Sequence, residues 1–140
     1  MTQHKPVHAK AFSQPVVIKE MHLDTFGHVN NAAYLTLLED ARWDLITQRG
    51  YGLPKIQQTG LGPVILELKL TFKKELRLRE EIIIETQMLS YEGRIGQLSQ
   101  KMLRDGELCC KAEFVMGLFS LRERKLVAPT PEWLAALGMA

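Results

Sequence analysis

The sequence predicts an α+β domain in which one long helix packs on an antiparallel sheet. Three observations carry that expectation. Between about Asn31 and Gln48, apolar residues recur at intervals of three and four, the period of one helix face. From Gly62 onward the period falls to two and persists through four segments, as in strands with one buried face. Short turn signals, not helices, join those segments, so neighbouring strands run antiparallel.

Each element follows in order. Residues 1 to about 12 are polar and read as a flexible tail. Gln14 to His22 reads as a strand, with Val16, Val17, Ile18 and Met21 supplying bulk. Asp24, Gly27 and Asn30 break the pattern and predict a loop. In the helix that follows, Tyr34, Leu37, Leu38, Ala41 and Leu45 form one apolar stripe. Asn30 or Asn31 is placed to cap its start, and Gly50, Gly52 and Pro54 end it. Gly50 to Gly60 is a connector with room for a short helical turn. Strands are then expected at Gly62 to Phe72, Glu81 to Leu89, Arg94 to Arg104 and about Leu108 to Leu118. Glu92-Gly93 and Asp105-Gly106 mark two of the turns. Thr130 caps a final short helix from Pro131 to Leu137. One helix covers only part of five long strands. Val115, Phe119 and Leu121 add apolar surface on the alternate face of the last strand, which points to oligomerisation.

The 140 residues suit one domain. The chain is 46% hydrophobic and 24% charged, a balance typical of globular chains. A net charge of +2 gives no field that would steer the whole domain to nucleic acid. No apolar run approaches the ~20 residues of a membrane span, and the polar start lacks a secretory signal. The expected location is the cytoplasm. Cys109 and Cys110 are adjacent, which suits neither a disulfide nor a four-ligand zinc site. They read as two reduced thiols in a strand.

The chemistry-bearing run is His22-Leu23-Asp24-Thr25-Phe26-Gly27-His28-Val29-Asn30-Asn31-Ala32-Ala33-Tyr34-Leu35. It gathers an acid, an imidazole, two amides and a phenol at the start of the long helix. A helix N-terminus offers unpaired N–H donors and partial positive charge, which suit a developing oxyanion. A carboxylate just ahead of those donors can act on the same carbonyl as nucleophile or as base for water.

Asp-x-x-x-His-Val-Asn-Asn-x-x-Tyr-Leu, followed by Leu-Glu-Asp-Ala-Arg-Trp, resembles the acyl-CoA thioesterases related to 4-hydroxybenzoyl-CoA thioesterase. The resemblance spans about residues 15 to 121. It implies a hotdog fold, in which a curled antiparallel five-stranded sheet wraps one long helix. It also implies subunits paired so that sheets join and active sites lie between them, as a homodimer or homotetramer. By position, Asp24 matches the catalytic aspartate. Val29, Asn30 and Asn31 match the junction whose backbone polarises the thioester carbonyl. Tyr34 and Asn30 match residues near the pocket, and His28 is read beside them as a substrate contact. Some members have Asp-Pro-x-Gly where this chain has Asp24-Thr25-Phe26-Gly27-His28, which sets it nearer the long-chain or general acyl-CoA branch.

The residues also admit plainer roles. Asp24 could cap a turn, His28 could order the loop, and Tyr34 opens the core stripe. Glu39 is the rival carboxylate, but Arg42 lies three residues on and makes a helix-surface or interface ion pair the expected role. Lys73 and Lys74, with Arg77 and Arg79, could hold coenzyme A phosphates. The expected activity is hydrolysis of acyl-CoA to free acid and coenzyme A, with no metal or other cofactor. Two alternatives stay open: a hotdog dehydratase or hydratase acting on thioester-linked acyl chains, and an acyl-CoA binding module without turnover.

Overall fold

The structure is a computed structural model that describes residues 9–139. Its elements run β1 (Phe12–Val17), a single 3₁₀ turn (Glu20–His22), α1 (Asn31–Gln48), α2 (Leu53–Thr59), β2 (Leu61–Phe72), β3 (Glu81–Glu92), β4 (Ile95–Arg104), β5 (Glu107–Ser120), β6 (Lys125–Val127) and α3 (Pro131–Ala136). The sheet is antiparallel, in the order β1-β3-β4-β5-β2. β1 and β2 therefore form its edges. Five strands are present as expected, and β6 makes a sixth, but the first does not run to His22: β1 stops at Val17, Glu20–His22 is the 3₁₀ turn, and Met21 is exposed there and supplies no strand bulk. β6 joins β5 at Leu118 to Ser120, just past the last β4 pairing at Gly96↔Met116.

α1 forms where its stripe predicts. Tyr34, Leu37, Leu38, Ala41 and Leu45 are buried, joined by Ile46. The Asn30 side-chain oxygen accepts from Ala32 N–H at 2.8 Å, which caps the start. Gly50, at φ 84°, ends it in the left-handed conformation that suits glycine. The helix is fixed to the sheet by one buried amide. Gln100 Nε2 donates to the Leu38 carbonyl and to Thr86 Oγ1, both at 3.0 Å. Its Oε1 accepts from Arg42 Nη1 at 3.0 Å. Gln14 of β1 donates to Asp44 and ties the same helix to the sheet edge.

Two further expectations are corrected. Residues 9–12 do not fray. Ala9 is buried and accepts from Gln87 Nε2 at 2.8 Å, Lys10 N–H donates to Gly138 O at 3.1 Å, and Phe12 opens β1. The rest of the expected tail lies outside the described residues. The alternation in β2 reads as one buried face, yet Leu66, Leu68 and Phe72 stay 43%, 45% and 49% exposed. β2 is an edge strand, which α1 meets at Phe72 and near Ile65 while leaving these three side chains largely open.

Cys109 and Cys110 are free and buried in β5. Burial pushes the Cys110 thiol up to about 11, with Cys109 beside it adding to the shift.

Candidate active site

The loop between the 3₁₀ turn and α1 is closed by its own residues. Leu23 and Val29 form an antiparallel bridge, and Asp24 N–H donates to His28 O at 2.8 Å. Gly27 sits at φ 79° at the tip, with nothing within 4 Å of an added Cβ. Its role is conformational, because only glycine adopts that angle without strain. Asp24 Oδ1 accepts from Phe26 N–H at 2.9 Å and His28 N–H at 3.2 Å. One carboxylate oxygen thus does the turn-capping work. The other has no protein donor among the described residues, so a reacting group or water can reach it.

The donors at the start of α1 are largely spent. Asn30 N–H goes to His22 O at 2.8 Å, and Ala32 N–H is taken by the Asn30 cap. Ala33 and Tyr34 N–H turn back to Asn30 O at 2.9 and 3.3 Å. Asn31 N–H has no acceptor among the described residues. It is the one donor of the first turn left for a ligand.

The other expected site residues divide. His28 is exposed, and its Nε2 lies 3.1 Å from Glu75 Oε1. Val29 is buried beneath the loop. Asn30 is the cap, and Asn31 is the exposed first residue of the helix. Tyr34 is buried, with its ring edge-on to Phe72 at 4.9 Å. Burial pushes its phenol up. Lys73 and Lys74 are exposed on the connector after β2, both donating backbone N–H to Cys109 O at 2.8 and 3.0 Å. Glu75 follows directly and bonds His28, which brings both lysines to the rim of the Asp24 loop. Arg79 reaches Glu20 at 2.6 Å, and its backbone N–H donates to Ile18 O, stitching this connector to the segment before the loop. Arg77 lies in a shallow hollow with Lys74, Glu75, Glu80 and Arg104, where acids offset much of the positive charge.

Glu39 stands away from this loop. It is exposed and borders a cavity beside the middle of α1. Arg42, beside it, makes no ion pair with it. It stacks on Phe114 at 4.5 Å and bonds Gln100. Burial lowers the Arg42 pKa, an effect the nearby Glu39 charge opposes. Glu75 was not singled out in the sequence, because its place beside the loop depends on the fold. No helix of the described residues is long and apolar enough to cross a membrane.

Residues 18–137 match the model of the thioesterase-like superfamily, and the chain belongs to that family. Among characterised relatives it is similar to the long-chain acyl-CoA thioesterase FadM of Escherichia coli. The two are 26% identical over 115 residues, 81% of this chain and 86% of that protein. A 50-residue stretch is 32% identical to the 3-hydroxyacyl-[acyl-carrier-protein] dehydratase FabZ of Caldicellulosiruptor bescii, covering 36% of each chain. Solved hotdog structures share the fold. One is a Lactobacillus plantarum protein described as an oleoyl thioesterase, at TM-score 0.86 and 18% identity; the match covers 92% of this chain but only 51% of that one. A Staphylococcus aureus protein in complex with CoA gives TM-score 0.84 at 17% identity, covering 94% of this chain and 84% of that one.

Proposed function

We propose that this protein is an acyl-CoA thioesterase, with Asp24 as nucleophile or general base. The observation that carries the reading is local. Asp24 is held by one carboxylate oxygen, the other is open, and the loop it closes leads directly to the unpaired Asn31 N–H. A thioester carbonyl accepting from that N–H would gain an oxyanion donor as charge develops. It would lie at the positive end of the α1 dipole. Lys73 and Lys74 would meet the phosphates of coenzyme A at the rim. The similarity to FadM, over most of both chains, supports a fatty acyl-CoA.

The working form on this reading is a homodimer or homotetramer in the cytoplasm. β2 supports the assembly: a twelve-residue edge strand with exposed Leu66, Leu68 and Phe72 is a surface that chains cover. The test is thiol release from a panel of short, long and aromatic acyl-CoAs, run beside hydration of an enoyl-CoA. Release from at least one acyl-CoA is expected. Hydration without release would favour the dehydratase reading that the short match to FabZ raises. Binding without either reaction would leave an acyl-CoA binding module. Light scattering that finds an active monomer would remove the shared-site assembly.

A further inference from the structure

A cavity of about 110 Å³ lies between α1, the sheet and α3. Both tryptophans of the chain, Trp43 and Trp133, line it. Ile46, Ile65 and Leu137 are among its apolar walls, and exposed Glu39 with half-buried Arg42 marks its open side. Trp133 is itself fixed, edge-on to Tyr51 at 5.1 Å and with Nε1 donating to Tyr91 OH at 3.3 Å. The end formed by α3 is therefore rigid.

The cavity shares a helix face with the proposed site. Asn31, Leu35, Glu39, Arg42 and Ile46 follow one another at intervals of three or four, which places them on one side of α1. Leu35, between the free donor and the cavity, is a leucine left 37% exposed. β2 runs alongside in the opposite sense. Phe72 meets Tyr34 at the helix start, and Ile65 meets the cavity. Half-exposed Leu68 lies between them.

We infer that this cavity receives the distal end of a long acyl chain, and that Trp133 and Leu137 form the end wall that sets the longest chain accepted. The inference rests on the thioesterase reading and adds its chain-length rule. With a rise of about 1.5 Å per residue, Glu39 stands about 12 Å along the helix from Asn31 and Ile46 about 22 Å. An extended chain advances roughly 1.2 Å per bond, taken from the 3.3–3.6 Å span of a three-bond residue. About ten carbons therefore reach the mouth, and about sixteen to eighteen reach Ile46. Burying each methylene is worth roughly fourfold in affinity.

Because both tryptophans line the cavity, their emission reports on it in the unmodified protein. The probe is a non-hydrolysable sixteen-carbon alkyl-CoA thioether carrying a nitroxide near its far end or near its sulfur. The far-end label is expected to quench several-fold more strongly than the near one. Equal quenching, as would follow if a second copy's side chain filled the cavity, overturns the inference; so does failure of both probes to bind. Thiol release from hexadecanoyl-CoA, measured alongside, keeps the two readings apart. Turnover with equal quenching removes the cavity alone, whereas far-end quenching without turnover keeps the cavity and removes the hydrolase. Ile65→Phe, which fills the space, should lower the kcat/KM ratio of hexadecanoyl-CoA to octanoyl-CoA at least tenfold. Leu137→Ala should move the optimum to longer chains. An unchanged ratio in folded Ile65→Phe protein overturns the inference.

Discussion

The two ends of α1 are built on opposite principles. At its N-terminus a polar loop satisfies nearly all its own hydrogen bonds and leaves one carboxylate oxygen and one N–H open. Toward its C-terminus the helix meets Trp133, Ile65 and Leu137 around apolar space, with few polar groups. Two acids accompany these regions, Asp24 just before the helix and Glu39 at its middle, and the contrast separates them. Asp24 is positioned by two backbone donors, as a group that must meet one atom should be. Glu39 is exposed and has no fixed partner among the described residues, so nothing holds its oxygen to a reacting geometry. The difference is one of preorganisation.

The largest expected effect breaks this contrast directly. Asp24→Asn keeps size and an oxygen that can accept from Phe26 and His28, but removes the charge and the basic oxygen. Turnover should fall about 10²–10⁴-fold, the usual worth of a general base, with Tm changed by no more than a few degrees. Glu39→Gln should change turnover less than tenfold. The reverse ranking in steady-state thiol release would transfer the catalytic role to the other acid.

A smaller effect isolates the backbone donor. Asn31 is the first helical residue, the position where proline is best tolerated because its N–H is unpaired anyway. Asn30, at φ −65° and ψ 140°, already has the extended conformation required before proline. Asn31→Pro should therefore fold with near-native Tm while losing the donor. Turnover should drop roughly 10²–10³-fold, as when one oxyanion-hole donor is removed. Full turnover in the folded variant would mean that the carbonyl is polarised elsewhere.

The next test addresses the joint that holds both ends in register. Gln100 is fully buried and bonds Leu38 O, Thr86 and Arg42. Gln100→Ala leaves the Thr86 hydroxyl and the half-buried Arg42 cation without this partner. The cost should be about 1–3 kcal/mol per unsatisfied group, visible as a lower urea midpoint. A change under about 0.5 kcal/mol, the range of an ordinary surface substitution, would show that the network is not what seats α1.

These residues also show what the sequence made legible. The limits of α1 and the asparagine cap were readable because both are set by neighbours a few positions away. The acid and the loop glycine were readable for the same reason. Which asparagine caps was not, since either spacing fits a helix start. Gln100 sits in the inward register of β4 with Leu98 and Met102, so a buried polar hub was visible in principle as a polar residue on an apolar face. β6 was missed because three residues carry no period. The exposure of Leu66 and Leu68 was missed because alternation reports a sheet's two faces but not whether the strand lies at its edge. The cavity is assembled from α1, β2, β4, β5 and α3, and no local pattern encodes that meeting.

The subtlest test concerns the turn beneath the Asp24 loop. Lys19 N–H donates to His22 Nδ1 at 2.9 Å, and His22 O receives Asn30 N–H. That first bond needs an unprotonated Nδ1. Burial lowers the His22 pKa below its ordinary 6.5, and the nearby Lys19 charge lowers it further. The folded state thus binds a proton less readily than the unfolded chain. The stabilisation is complete above 6.5 and is lost as pH falls from there through the lowered folded value. Protonation should loosen the turn, and with it the anchor of Asn30 at the helix start. Amide exchange at Asn30, corrected for its intrinsic rate, should become faster as the solution is acidified from about pH 7 to about pH 5, a window chosen to bracket an unperturbed histidine. His22→Asn lacks the titrating ring and should show a flat profile over the same window. Thiol release by the native protein should decline along with the exchange protection. A native profile as flat as the variant's would show that the ring carries no structural weight, and the acid limb of the rate profile would then belong to the loop itself.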